Sequence, residues 1–192
     1  MRKKAENRIK IDYSKIQPMD RVDCAGVGPT ANLIRTVSAG KNYKLAYGVA
    51  VHTAIAVDID GQKMLIEMGP RGIQHSTFLD YEYAWSRRWI IGIYRHPAFK
   101  DKKLAKEAQA GLIHRWRQHE ELVKRSPYGW TDLLKFVIPW WPNSKRVTIC
   151  SELYVEATRK WIGDYKEGKL YSPYDLQKMR MFCDTRAITE RK

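Results

Sequence analysis

The sequence predicts an α+β domain in which helices pack against one antiparallel sheet. Four β-branched and aromatic runs between residues 47 and 95, separated by Asp60-Gly61 and Gly69-Pro70 turn signals, supply the sheet. After residue 100 the pattern changes to helical periodicity, which places most helices after the strands. The chain has 192 residues, 44% of them hydrophobic and 11% aromatic, enough apolar surface to offset ordering entropy around a single core. Disorder is therefore excluded.

Residues 1–18 are polar and basic and read as an N-terminal arm, ahead of a single domain over 19–192. Arg21 to Val27 is a short strand. The following Gly26-Val27-Gly28-Pro29-Thr30 lacks the Gly-Lys-Ser/Thr ending of a phosphate loop, so it reads as a turn into a helix that Gly40 ends. Tyr47 to Asp58, Lys63 to Met68, Ile73 to Phe78 and Arg88 to Arg95 then form a meander. From Lys100 to Arg125, Leu104, Ala108, Leu112, Trp116 and Val123 make one apolar stripe on an otherwise charged helix, a basic insertion at about 100–126. Helices follow at Trp130 to Val137 and Ile149 to Ile162. Ser172-Pro173-Tyr174-Asp175 opens the last one, with Ser172 as N-cap and Pro173 at the first helical position.

Lys and Arg number 35 against 21 Asp and Glu, a net charge of +14. That balance suits anionic polymers or an anionic membrane surface. No run approaches the ~20 apolar residues of a membrane-spanning helix. The basic start Arg2, Lys3, Lys4 leads into Asn7, Lys10, Asp12 and Ser14 instead of an apolar segment, so no secretory signal is read. The expectation is a soluble protein, cytoplasmic or virion-associated. Cys24, Cys150 and Cys183 lack the spacing of a disulfide framework or zinc site, and His114 and His119 are not at the i, i+4 spacing of a helical metal pair. Free thiols are expected, with neither metal nor cofactor.

Three residues could carry chemistry. On the strand 49–58, Ala50, His52, Ala54 and Ala56 share one face, nearly bare apart from the imidazole. A lone strand histidine is more often a satisfied core residue, so a partner is needed. If Asp60-Gly61 is a two-residue hairpin loop, Ala54 faces Glu67 and Glu67 lies diagonal to His52 on the same face, where its carboxylate can fix the imidazole tautomer. A longer loop without a bulge would turn Glu67 away. Cys150, Leu153, Ala157 and Trp161 follow one helical face, which puts the Cys150 thiol in a first turn facing a cleft, where helix N–H groups favour the thiolate. The alanine face around His52 offers that helix a surface to pack on.

The run Val51-His52-Thr53-Ala54-Ile55-Ala56-Val57, with Asp60-Gly61, Leu65-Ile66-Glu67 and the later Cys150-Ser151-Glu152-Leu153-Tyr154-Val155-Glu156-Ala157, resembles the circularly permuted papain-like amidases of the YiiX and YaeF type, in the NlpC superfamily. The resemblance spans about Asp20 to Leu176. Thr53 and Ala54 stand where Val and Gly are commoner in that family, and the basic helical insertion departs from its pattern. The resemblance implies a permuted papain-like fold with the nucleophile helix late in the chain, and a cysteine hydrolase in which Cys150 attacks a carbonyl, His52 moves the proton and Glu67 orients His52. The Cys150 N–H is then the first oxyanion donor. Tyr128 matches the tyrosine that superfamily members place beside the nucleophile, a second oxyanion candidate, or else it is an aromatic residue in a turn.

Three functions follow, in order of preference. The first is an amidase or peptidase acting on cell-wall peptides. The second keeps the triad but acts on lipid esters or amides, as the related lecithin-retinol acyltransferase group does. The third is a basic virion or nucleic-acid-associated protein that keeps the fold for binding; it is disfavoured because Asp101, Glu107, Glu120 and Glu121 interrupt the Lys and Arg of the basic helix.

Overall fold

The structure is a computed structural model that describes residues 10–39, 49–69, 72–82, 87–122, 149–163, 165–166, 169–179 and 189–190. Among the described residues there are seven strands: β1 (Lys10–Ile11), β2 (Arg21–Gly26), β3 (His52–Ile59), β4 (Gln62–Gly69), β5 (Gly72–Thr77), β6 (Arg88–Tyr94) and β7 (Thr189–Glu190). The helices are α1 (Pro29–Ala39), α2 (Leu79–Glu82), α3 (Lys102–Leu122), α4 (Cys150–Thr158) and α5 (Pro173–Lys178). An antiparallel five-stranded sheet with helices packed against it is an α+β architecture, as the sequence predicts. Trp130 to Val137, Tyr128 and Cys183 lie outside the described residues.

The strand order is β5-β4-β3-β2-β6, which corrects the meander. Strands β3, β4 and β5 do follow one another, but β6 pairs with β2 instead of β5. The reason lies in β2, whose six residues are all buried: a strand inside the core must have both backbone edges hydrogen-bonded, and β3 and β6 supply the two edges.

The β3–β4 hairpin turns on Asp60 and Gly61, both at positive φ (54° and 80°), the two-residue turn whose twist matches that of the strands. Glycine takes such a φ without a Cβ clash, and Asp tolerates it better than most residues. The pairing Ala54↔Glu67, Ile55↔Ile66 and Ala56↔Leu65 follows, the register read from the sequence.

Each face of the sheet has its own core. Val51, Ile55, Val57, Ile66 and Met68 join Leu153, Tyr154 and Leu176 from α4 and α5, and Ala105, Ala108, Leu112 and Trp116 from α3. Val22, Cys24, Ala54, Ala56, Leu65, Ile90 and Ile93 are covered by Ile16, Phe78 and Tyr81. The alanine face of β3 therefore receives Phe78 and Tyr81, whose rings use the space small side chains leave, while α4 packs on the valine and isoleucine face. This corrects the docking surface expected for the nucleophile helix.

Of the predicted basic arm, residues 10–18 are docked. Lys10 and Ile11 pair with Glu190 and Thr189, Tyr13 meets Phe78 edge-on at 5.5 Å, and Lys63 Nζ donates to the Ile16 carbonyl at 2.8 Å. The next residues are held by Asp20, fully buried, which accepts from Arg95 Nε and Nη2 at 2.8 Å and from the Gln17 N–H at 2.8 Å. Replacing Arg95 with methionine should cost about 3–5 kcal/mol in urea unfolding, since it strands a buried carboxylate. A loss within about 0.5 kcal/mol, the size of an ordinary surface change, would mean that the pair is unimportant to stability.

The basic helix α3 buries its apolar stripe and exposes its charges. Glu107 pairs with Lys160 at 3.0 Å and Arg115 with Glu156 at 2.7 Å, so acids and bases alternate between α3 and the α4 region. No helix among the described residues is long and apolar enough to cross a membrane.

Candidate active site

His52 is the first residue of β3, and the segment entering it is fixed from two sides. The Ala50 N–H donates to Gln177 Oε1 of α5 at 2.9 Å, and the Val51 N–H donates to the Cys24 carbonyl at 2.9 Å. Helix α5 is itself held by a capping box in which Ser172 and Asp175 exchange hydrogen bonds, at the residues the sequence marks as its start.

Glu67 stands opposite Ala54 and reaches diagonally to His52, and its Oε2 meets His52 Nε2. Both side chains are almost fully buried. The carboxylate has further donors: Ser76 Oγ at 2.7 Å on Oε1, Tyr81 Oη at 2.6 Å on Oε2, and Arg88 Nη1 at 3.5 Å from Oε2. Burial pushes the Glu67 carboxyl up, but the His52 charge and the hydrogen bonds from His52, Tyr81 and Ser76 outweigh it and hold the group at about 2. Three of these partners were not anticipated. Ser76 was accessible to the register argument, because Gln74 faces Glu67 and Ser76 is its next neighbour on that face. Tyr81, on a one-turn helix, and Arg88, on a strand expected next to β5, were not.

Cys150 opens α4. Its N-cap, Ile149, has no side-chain acceptor to offer the first-turn N–H groups, and the Glu152 carboxylate instead turns back to accept the Ile149 N–H at 3.2 Å. The thiol is within hydrogen-bonding reach of the His52 ring and of the Thr53 N–H. With Nε2 engaged by Glu67, Nδ1 is the ring nitrogen left for sulfur. Burial raises the thiol pKa, yet the His52 charge and hydrogen bond, the Thr53 N–H and the Arg88 charge together bring it below its ordinary value. His52 shifts the other way: burial and Arg88 push it down, and Cys150 and Glu67 more than compensate, leaving it raised. Each shift favours the charged form of its group, the imidazolium of His52 and the thiolate of Cys150.

One expectation needs correction. The sequence placed the Cys150 thiol facing a cleft, whereas the residue is 2% exposed and belongs to the core under α4. Packing on the larger side chains of Val51, Ile55 and Val57 draws the first turn inward.

No family model matches the chain, and no curated protein matches it. Among the described residues, no group of three His, Cys, Asp or Glu is placed to hold a metal ion. The site brings together a thiol, an imidazole and a carboxylate, each within hydrogen-bonding reach of the next.

Cys24, opposite His52 on β2, is a useful contrast. It is fully buried, and burial followed by the Glu67 charge pushes its thiol well above the ordinary range. Iodoacetamide at pH 7 should therefore alkylate Cys150 at least tenfold faster than Cys24, because the thiolate is the reactive form. Peptide mapping over time reads both rates. Faster modification of Cys24 would remove Cys150 from the role of nucleophile.

Proposed function

We propose that the chain is a cysteine hydrolase that cleaves amide bonds through an acyl-enzyme, on a circularly permuted papain-like domain. The observation that supports it best is the buried Cys150, His52 and Glu67 array, in which a carboxylate held at about 2 backs an imidazole that faces a thiol at a helix start.

In this reading the Cys150 thiolate attacks the substrate carbonyl, and the tetrahedral oxygen is met by the N–H groups of the α4 first turn. His52, protonated in the resting pair, gives its proton to the leaving amine. Glu67 stabilises the imidazolium and prevents the ring from turning, with Ser76 and Tyr81 fixing the carboxylate in turn. Water, activated by the now neutral His52, then attacks the thioester and returns Cys150. Tyr128 remains a proposed second oxyanion donor on the family resemblance alone.

Cell-wall peptides are the proposed substrate class, on the same resemblance, and the net charge of +14 suits the anionic polymers in which such peptides occur. The test is the intact mass of the protein after incubation with peptidoglycan fragments and, separately, with phospholipid vesicles. An acyl adduct on Cys150 from the first supports an amidase, and one from the second alone moves the assignment to lipid esters or amides. No adduct from either, together with salt-dependent retention on DNA, would replace the enzyme reading with a binding role.

A further inference from the structure

A cavity of about 170 Å³ lies beside the entry to β3 and the start of β6. Its walls include Val27, Pro29 and Ile34 around the start of α1, Val51 immediately before His52, and Arg87 and Arg88 at the start of β6. No residue of α4 lines it. Arg88 joins the cavity to the array, because its guanidinium reaches Glu67 while its side chain is 39% exposed. Gly26 favours the close passage of the Arg87 backbone at this wall, because a Cβ there would stand 3.1 Å from the Arg87 carbonyl. Arg35 holds the same strand end to α1 by donating from Nη2 to the Gly26 carbonyl at 2.5 Å.

The position decides which half of a substrate could enter. The imidazole hands its proton to the departing amine, so the leaving group lies on the histidine side of the sulfur. The cavity borders Val51, next to His52 in the chain, and Arg88, whose charge acts on both the His52 ring and the Cys150 thiol, so it lies on the histidine side. Its chemistry decides what the leaving group carries: an apolar wall and two guanidinium groups fit a small apolar residue with a carboxylate. Resting on the proposed hydrolase function, we infer that the cavity beside Arg87 and Arg88 is a leaving-group subsite for an apolar amino-acid residue ending in a free carboxylate.

Aminolysis of the acyl-enzyme tests this, because an incoming amine occupies the place of the leaving amine. Cys150 is acetylated with p-nitrophenyl acetate, and racemic leucine and racemic leucinamide compete to attack the thioester. The C–N bond forms as the C–S bond breaks, and the amine proton passes through His52 to sulfur. Mass spectrometry gives the ratio of N-acetylleucine to N-acetylleucinamide, with Cys150→Ser as the blank for direct reaction with the ester.

Intrinsic amine reactivity cancels when ratios are compared between proteins. Arg87→Gln and Arg88→Gln should each lower the ratio about tenfold, the scale of one lost charge-assisted hydrogen bond. Arg88 is paired with Glu67, so its replacement also touches the acid of the array, and Arg87→Gln supplies the reading at the rim. Ratios unchanged in both variants would overturn the subsite while the acetyl adduct upholds the nucleophile. Absence of an adduct on Cys150 would overturn the hydrolase reading, and the subsite with it.

Discussion

Cys150→Ser should lower turnover of any amide substrate by at least about 10⁴-fold, the scale on which nucleophile replacements act in triad hydrolases. The oxygen is similar in size to the sulfur, but an alcohol is far less acidic than a thiol, so the resting ion pair with His52 cannot form. Because Cys150 is packed in the core under α4, serine also buries a hydroxyl there, and circular dichroism and urea unfolding should accompany the kinetics. A folded serine variant that retains a tenth of the activity would show that another group attacks. The pH dependence sharpens the result. The lowered thiol and raised imidazole extend the thiolate–imidazolium form to lower pH than an ordinary cysteine allows, so alkylation of Cys150 should persist below pH 8.5, the ordinary thiol pKa, and collapse when Glu67→Ala removes a charge that favours the imidazolium.

Glu67→Ala carries the second large effect. Loss of the carboxylate that orients and charges His52 should slow turnover about 10³- to 10⁴-fold, and Glu67→Gln nearly as much, because an amide keeps the shape but cannot stabilise the imidazolium. Stability follows a different course. The folded carboxyl sits at about 2, below its unfolded value of about 4.5, so it contributes stability above the unfolded pKa that disappears as pH falls through 4.5 toward 2. Acid unfolding of the native protein should therefore steepen in that window, and in Glu67→Gln the step should be absent. A Glu67→Gln variant with wild-type turnover would leave only Cys150 and His52 in the mechanism.

The hairpin was legible in the sequence because its logic is local. Asp60-Gly61 dictates a two-residue turn, the turn dictates the register, and the register puts Glu67 beside His52 with no knowledge of the rest of the chain. The start of α5 was legible for the same reason, since Ser172, Pro173 and Asp175 settle a cap among themselves. Contacts between distant elements were not. That β6 crosses to β2 follows from the need of a buried central strand for partners on both edges, which no window of sequence records. The inward seat of Cys150 follows from which face of the sheet α4 covers, and periodicity reveals that a helix has an apolar face without naming the surface it meets. Tyr81 and Arg88 reach Glu67 through that same long-range arrangement.

The short ladder between β1 and β7 brings residues 10–11 against 189–190, so segments almost 180 positions apart in sequence are neighbours in space. A linker of a few residues could bridge them, and the chain could then be opened at the exposed Asp60-Gly61 tip, the type of site that tolerates new termini. In such a rearranged polypeptide Cys150 would precede His52 along the backbone, with every wall of the fold in place. The order in which the reactive groups are synthesised is thus a matter of where the loop is cut, and the sheet assembles the same neighbourhood whichever point of the ring is opened.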